Sequence, residues 1–170
     1  MQVFILERLE IRPVPRNVNA PWLDPKANKI KLTKDFVFRV VDRKRKIDEI
    51  IVVPQGYYSD WSSIPRLLWI FYPSNYTEAR EGAVAHDYIY SHLHWYFSKK
   101  FADELLRAFM QRQGAPEMAQ TAFYWSVRVG GGGGWKYRKR KGTHPHWRTQ
   151  HEKIPYHARG KVPSTTTAHA

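Results

Sequence analysis

Three helical patterns follow one another over residues 77–128, and only short interruptions separate them. The first begins at Thr77, has acids in its first turn and extends to about His94. The second covers roughly Ser98–Gln113, and a Gly-Ala-Pro stop separates it from a third helix between Glu117 and about Arg128. Because short connections make consecutive helices antiparallel neighbours, this half of the chain predicts an antiparallel helix pair followed by a third helix.

The first half of the chain is typical of strands. Residues 2–8, Phe36–Val41 and Ile50–Val53 are β-branched or aromatic runs of strand length. The charged stretch Asp42–Glu49 between the last two predicts the connection of a β-hairpin, and residues 17–28 predict a loop. The fold class we expect is therefore α+β, with a small antiparallel sheet followed by a three-helix half.

Length and charge predict one folded domain with an appendage. The 170 residues suggest a single domain, and the absence of cysteine excludes disulfides and thiolate metal sites. Residues 131–170 hold nine of the 28 Lys and Arg and one of the 15 acids, so this segment carries +8 of the net charge of +13. Five consecutive glycines, Gly130–Gly134, predict a flexible hinge. We therefore divide the chain into an α+β domain over residues 1–130 and a glycine-hinged basic tail over residues 131–170.

The start of the tail interleaves aromatic and basic side chains, a combination suited to stacking and phosphate contact. Such a tail attracts nucleic acid, anionic lipid or an acidic protein, although it also serves simply to keep a protein in solution. The candidate binding residues are Trp135, Lys136, Tyr137, Arg138, Lys139, Arg140 and Lys141.

The helix pair contains a candidate proton-transfer site. His86 and Tyr90 are four residues apart and share a helix face, and Asp103 borders the apolar stripe of the second helix. The midpoint between His86 and Asp103 falls at the expected turn, so antiparallel helices bring both to the same height, about 12 Å from the turn. An imidazole held by a carboxylate beside a Tyr hydroxyl forms a general-base dyad whose second ring nitrogen accepts a proton from water. The alternative is a structural hydrogen bond between two helices.

The block GAVAHDYIY…FADELLRAF resembles the secreted phospholipase A family, including its variant in capsid proteins of small DNA viruses. In that family one helix carries His-Asp-x-x-Tyr and the next carries Ala-Asp. The resemblance implies that His86 is the general base, that Asp103 orients it, that Tyr90 hydrogen-bonds this carboxylate, and that Asp87 is a calcium ligand.

The family's glycine-rich calcium loop has no counterpart upstream of the His-Asp helix. Asp60 is the upstream acid that we nominate as a substitute ligand. Calcium takes six or more oxygen ligands, and Asp60 and Asp87 alone do not provide them. What the resemblance implies is still a divalent metal, calcium or another, on Asp87 with Asp60 as the substitute ligand.

A second resemblance covers roughly residues 35–130. The loop from Gly56 to Pro65, with the pattern Gly-aromatic-x-Ser-Asp-x-x-Ser-Ile-Pro, precedes the His-Asp helix. This order is similar to a family of short phage and prophage proteins of unassigned function. The resemblance implies a viral origin and brings no established activity.

Three functions follow as expectations. The first is a phage accessory or virion-associated protein of the head-tail or tail region, with a hydrolase-like His/Asp site and a basic tail that docks on other virion proteins. The second is an active metal-assisted lipid or ester hydrolase for envelope penetration, and the third is a nucleic-acid-binding protein that uses the tail. The sequence shows no signal-peptide or membrane-span pattern, so we expect synthesis in the host cytoplasm and a place in the virion.

Overall fold

The computed structural model describes residues 1–14, 30–59, 77–133 and 135–136. Their strands are β1 (Gln2–Glu7), β2 (Ile11–Pro13), β3 (Ile30–Leu32), β4 (Phe36–Asp42), β5 (Ile47–Val53) and β6 (Tyr58–Ser59). Their helices are α1 (Arg80–Tyr88), α2 (Lys99–Arg112) and α3 (Glu117–Gly130). A 3₁₀ turn, Thr77–Ala79, leads into α1, and a π-helical segment, Ile89–Leu93, continues it. The expected α+β class is confirmed.

The strands form two three-stranded antiparallel sheets. One has the order β1-β4-β5, and the other has the order β2-β3-β6. In the first sheet Val3 pairs with Val40 and Phe38 pairs with Ile51, so the inward residues of neighbouring strands lie side by side. Strands β2, β3 and β6 contain only two or three residues each. We did not predict them, because so short a segment shows no period.

The β-hairpin differs from its prediction in one respect. Only residues 43–46 form the turn. Asp42 belongs to β4, and Ile47, Asp48 and Glu49 belong to β5 rather than to the connection. Arg39 on β4 explains the difference, because its guanidinium makes two hydrogen bonds of 2.6 Å to the Asp48 carboxylate across the ladder. A cross-strand ion pair of this kind places an acid within a strand although acids disfavour strands.

The main core lies between the first sheet and the helix pair. Phe36 and Phe38 of β4 are fully buried, and the Phe109 ring of α2 lies 5.0 Å from that of Phe38 in an edge-to-face arrangement. Aromatic contacts of this geometry contribute beyond the area they bury. A smaller cluster, which includes Ala119 and Phe123, packs α3 against α2. The sheet thus supports α2, and α2 in turn supports both other helices.

The third helix carries two sets of apolar side chains at helical spacing, and only one of them is buried. Met118, Trp125 and Val129 recur at helical spacing, yet they are exposed, and Ala119 and Phe123 make the core contact instead. Two apolar stripes of similar period lie on α3, and only the packing of α2 selects between them.

Gly82 sets the distance between α1 and α2. A Cβ at this position would lie 2.9 Å from both Leu106 Cδ1 and Phe109 Cβ. The glycine therefore permits close approach of the two helices one turn before His86, which brings the side chains of the candidate site within reach of each other. Among the described helices, none has the length and apolar character required to cross a membrane.

Candidate active site

His86 and Asp103 meet across the antiparallel helix pair. The turn between the helices covers residues 94–97, as the spacing predicts. Nε2 of His86 lies 3.1 Å from Oδ1 of Asp103. Asp103 has no exposed surface, and His86 is 8 % exposed. The predicted contact between the two side chains is confirmed, and the hydrogen bond engages one nitrogen of the imidazole.

Tyr90 completes the expected triad. Its hydroxyl donates to Oδ1 of Asp103 over 2.8 Å, and its ring lies against the His86 ring with 4.1 Å between centroids. Burial and the neighbouring Asp103 charge raise the pKa of the Tyr90 hydroxyl. Tyr90 therefore remains a neutral donor that stabilises the carboxylate.

Two cations on the other oxygen of Asp103 were not predicted. Lys99 Nζ lies 2.9 Å and Arg128 Nη1 lies 3.2 Å from Oδ2. Lys99 also donates to the carbonyl oxygens of Val127 and Arg128 at the end of α3. The i, i+4 spacing of Lys99 and Asp103 was a usable signal, whereas Arg128 comes from a different helix and left none.

The charge of Asp103 is thus held by donors on all three helices. Burial by itself would raise the pKa of this carboxyl group, but hydrogen bonds from His86, Lys99 and Tyr90 outweigh burial and lower the pKa to about 2. A fully buried carboxylate with this many partners is ionised throughout the physiological range. The cluster can therefore orient an imidazole, and it also joins α1, α2 and α3.

The second nitrogen of His86 faces another carboxylate. Nδ1 lies 3.7 Å from Oδ1 of Asp87, which is longer than a hydrogen bond. Burial lowers the pKa of the His86 imidazole, but the carboxylates of Asp103 and Asp87 outweigh it and raise the pKa above 6.5. His86 lies between two acids, an arrangement that favours the imidazolium ion.

Ser59 fixes Asp87 from the opposite half of the molecule. Its hydroxyl, which is almost fully buried on β6, donates to Oδ2 of Asp87 over 2.6 Å. This contact joins the loop that begins at Gly56 to the His-Asp helix. The sequence motif includes Ser59 but does not indicate its partner, because a separation of 28 residues leaves no periodic signal.

A second polar group lies beside Asp87, where the helix widens into its π-helical segment. The Ser91 hydroxyl donates to the carbonyl oxygen of Asp87, and it lies 3.0 Å from Tyr57 Oη and 2.9 Å from His92 Nδ1. The His92 ring stacks on Tyr88 at 4.8 Å. Single π-helical turns occur frequently at functional sites, yet the sequence spacing alone gave no indication of one here.

The described residues do not complete a calcium shell. Asp87 supplies one carboxylate near His86, and one of its oxygens already accepts the Ser59 hydrogen bond. Asp60, the other predicted ligand, lies outside the described residues. Within the described ranges, no group of three or more His, Asp or Glu side chains is placed to hold a metal ion. Calcium takes six or more oxygens, so these side chains do not fit it on their own.

The beginning of the basic tail is part of the folded structure. Hydrogen bonds from Gly131 N to Val127 O and from Trp135 N to Gly131 O continue the helical path beyond α3. The Trp135 ring lies 4.7 Å from the Tyr90 ring, edge to face. Trp135 is therefore half-buried beside the candidate site.

Gly131 is required by close packing. A Cβ there would lie 2.8 Å from Tyr90 Oη and 2.7 Å from Val127 O.

Of the predicted binding residues that follow Trp135, the structure describes Lys136, which is exposed. The other five predicted binding residues of the tail lie outside the described part of the chain, namely Tyr137, Arg138, Lys139, Arg140 and Lys141.

The fold and this site define a small α+β protein in which antiparallel helices hold a buried His–Asp pair, and Ser59 of the short strand β6 binds the neighbouring Asp87. Residues 30–127, more than half of the chain, match the family described as "Protein of unknown function (DUF1353)", and the chain belongs to that family. The match includes His86, Asp103 and Ser59. Neither a curated protein nor a solved structure matches the chain.

Proposed function

We propose that this chain is a phage accessory or virion-associated protein whose folded part carries a hydrolase-type His–Asp site. The main support for a hydrolase is the position of the His86 imidazole. Its Nε2 hydrogen-bonds to Asp103, and its Nδ1 faces Asp87. The resemblance of the helix pair to secreted phospholipase A supports an ester, and in particular an ester lipid, as the substrate class.

The proposed chemistry uses His86 as a general base. Asp103 holds the Nε2 proton and stabilises the imidazolium that forms when Nδ1 takes a proton from water. Asp87 faces Nδ1 at 3.7 Å, a separation that leaves its carboxylate close enough to orient the attacking water. A base must be unprotonated, and the two carboxylates raise the pKa of His86 above 6.5. Hydrolysis should therefore increase with pH through that raised value.

The alternative is that the polar cluster only joins the three helices. The contacts of Lys99 and Arg128 with Asp103 favour this alternative, because they bind the carboxylate more completely than an orienting role requires. A variant that keeps the fold but lacks the imidazole loses hydrolysis if His86 is a general base. If the cluster only joins the helices, neither this variant nor the wild type hydrolyses an ester.

The test is release of fatty acid from mixed phospholipid vesicles and of alcohol from soluble esters. We expect wild-type hydrolysis, and we expect His86→Ala to abolish it while circular dichroism retains the native spectrum. Each assay is repeated with chelator, calcium, zinc and manganese, which tests the predicted metal on Asp87 and Asp60. Ser98→Ala is the control, since it weakens α2 at a distance from the imidazole and should keep the activity. A wild-type protein that hydrolyses nothing under all these conditions would contradict the hydrolase.

The phage assignment depends on the resemblance over residues 35–130 and on the basic segment 131–170, which suits docking on an acidic partner. We expect the chain among the proteins of purified particles by mass spectrometry, in complex with other virion proteins of the head-tail or tail region. Its absence from purified particles would contradict a virion location.

Nucleic-acid or anionic-lipid binding through the tail remains the third candidate. Trp135 packs on Tyr90, so a truncation at residue 130 would damage the folded part. The better test replaces Arg138, Lys139, Arg140 and Lys141 with Gln. Retention on DNA should then fall, and wild-type retention should weaken steeply as salt rises.

A further inference from the structure

One end of the folded part combines exposed cations with exposed aromatic rings. The cations belong to the turn between β4 and β5 and to the first turn of α2, and the rings belong to the turn before α2. We call this the basic-aromatic surface, and its residues are Arg43, Lys44, Lys46, Trp95, Tyr96 and Lys100. We propose that this surface binds single-stranded nucleic acid, with phosphates on the cations and bases on the rings.

The cationic turn has a fixed shape. Oδ1 of Asp42 accepts hydrogen bonds from the backbone N–H groups of Lys44 and Arg45, at 3.0 and 3.3 Å. Lys46 adopts a left-handed backbone conformation with φ of 56°, which closes the turn at the cost of some strain. The cations are therefore presented by a pre-organised turn, which reduces the entropy lost on binding.

Arg45 anchors this turn to α2. Its guanidinium bridges Asp42 and Glu104, with N–O distances of 2.5 Å to each carboxylate. Lys100 lies 3.8 Å from the same Glu104. Two of the nearby acids are thus bound by Arg45, whereas no ion pair joins Arg43, Lys44 or Lys46 to another described residue. These three exposed cations are available to phosphates.

The aromatic rings are held on the same end of the molecule. Tyr96 Oη donates to Glu49 on β5 over 2.8 Å, and Trp95 Nε1 donates to the carbonyl oxygen of His92 over 3.0 Å. The two side chains nevertheless remain 58 % and 54 % exposed, for Trp95 and Tyr96 respectively. Their ring centroids are 5.5 Å apart. The polar atom of each ring is bound within the protein, and more than half of each side chain faces solvent.

This arrangement favours nucleic acid over a lipid surface. Trp and Tyr at membrane interfaces direct their N–H and O–H groups to the headgroup region, whereas here those groups are bound within the protein. A ring face is what an unpaired base requires, because stacking depends on the π-surface and tolerates any base. A duplex hides its base faces, so the surface fits a single strand.

The experiment measures binding of a fluorescent 20-nucleotide oligo-dT to the full-length chain by anisotropy over a salt series. The affinity falls as salt rises, and each phosphate contact on a single strand makes the slope of log affinity against log salt steeper by about 0.7. Replacement of Arg43, Lys44 and Lys46 by Gln should therefore make this slope shallower by about 2. Trp95→Ala should weaken binding by about tenfold, the effect of one lost stacked base. The matched control replaces Arg8, Arg12 and Lys34 by Gln, which removes three exposed cations elsewhere. It lowers the net charge by the same amount as the turn variant and should leave the affinity close to that of the wild type.

Two further arms make the outcome decisive. Vesicles of phosphatidylserine and phosphatidylcholine replace the oligonucleotide, and the quadruple tail variant at residues 138–141 is measured beside the turn variant. The surface is supported if turn and Trp95 variants lose oligonucleotide binding while the control retains it. The proposal is overturned if only the tail variant loses binding, or if the turn variant loses vesicle binding and keeps the oligonucleotide. These results do not depend on His86 or on any hydrolysis.

Discussion

Asp103 is the residue with the largest share of buried polar contacts in the candidate site. Both of its oxygens are hydrogen-bonded, one to His86 and Tyr90 and the other to Lys99 and Arg128. A buried acid with two cationic partners cannot be neutralised without leaving positive charge behind. The stability and any activity of the protein therefore depend on the same carboxylate.

We expect Asp103→Asn to lower the free energy of unfolding by about 3 to 5 kcal/mol, because it breaks a buried ion pair and leaves Lys99 and Arg128 uncompensated. Urea denaturation followed by tryptophan fluorescence measures the loss. The control is Asp48→Asn, which breaks an exposed pair with Arg39 and should cost far less. If the two variants lose the same free energy of unfolding, the buried ion pairs of Asp103 contribute no more to stability than the exposed pair of Asp48.

Gly131→Ala should destabilise the protein by about 1 to 3 kcal/mol through overpacking, because the new methyl group would displace Tyr90 from Asp103. The matched control is Gly132→Ala, where a Cβ meets no atom within 4 Å. Thermal unfolding of both variants measures the difference. If Gly131→Ala unfolds at the same temperature as the wild type, the protein does not have the close contact between this glycine and the Tyr90 hydroxyl.

At the scale of elements, α2 is the central piece, since it contacts the first sheet, α1 and α3. Its start is well defined. Ser98 is in an extended conformation, and its hydroxyl accepts a hydrogen bond from the Phe101 N–H over 3.1 Å. The predicted beginning of this helix is thereby confirmed. By contrast, α1 begins three residues after the predicted start at Thr77, because a 3₁₀ turn over Thr77–Ala79 precedes it.

Ser98→Ala should reduce the free energy of unfolding by about 1 kcal/mol, the usual effect of losing an N-cap side chain. Ser126→Ala is a suitable comparison, because the Ser126 hydroxyl only bonds the carbonyl oxygen of Phe123 within α3 and such back-bonding does not support a helix. Chemical denaturation of the two single variants should therefore separate them, and a neutral Ser98→Ala would argue against the cap.

The whole molecule should respond to pH through His86. Its folded-state pKa is raised above 6.5 by Asp103 and Asp87 against the opposing effect of burial. The stability that this group contributes is fully present below pH 6.5 and is lost as pH rises through the raised value. We expect the free energy of unfolding to fall as pH rises above 6.5 through the raised pKa of His86, by at most about 1.4 kcal/mol per pH unit.

Urea titrations at a series of pH values measure this dependence. His86→Gln should flatten the curve above pH 6.5. Asp103 affects stability at low pH, because its pKa is lowered to about 2 in the folded protein. The stability that it contributes is present above pH 3.8 and is lost as pH falls toward about 2. A wild-type stability curve that rises as pH increases above 6.5 would contradict the proposed environment of His86.

Several features could be predicted from the sequence because they depend on local spacing. The ends of α2 follow from Ser98 and from the Gly-Ala-Pro stop after Gln113, and the meeting of His86 with Asp103 follows from equal distances to a short turn. These signals lie within about 20 residues of one another. Contacts of this range are set by helix geometry, so a single chain pattern is sufficient to place them.

Contacts between distant segments depended on the tertiary structure. Ser59 reaches Asp87 from a two-residue strand, Arg128 reaches Asp103 from another helix, and Trp135 packs on Tyr90. Composition indicated a flexible hinge near Gly131, but packing against Tyr90 gives that glycine a structural role. The sequence alone thus determined the helices, the main hairpin and the His–Asp pair, because periodicity and turn residues encode them locally. Only the tertiary structure decided the charge environment of that pair, because the side chains that set it converge from segments with no common period.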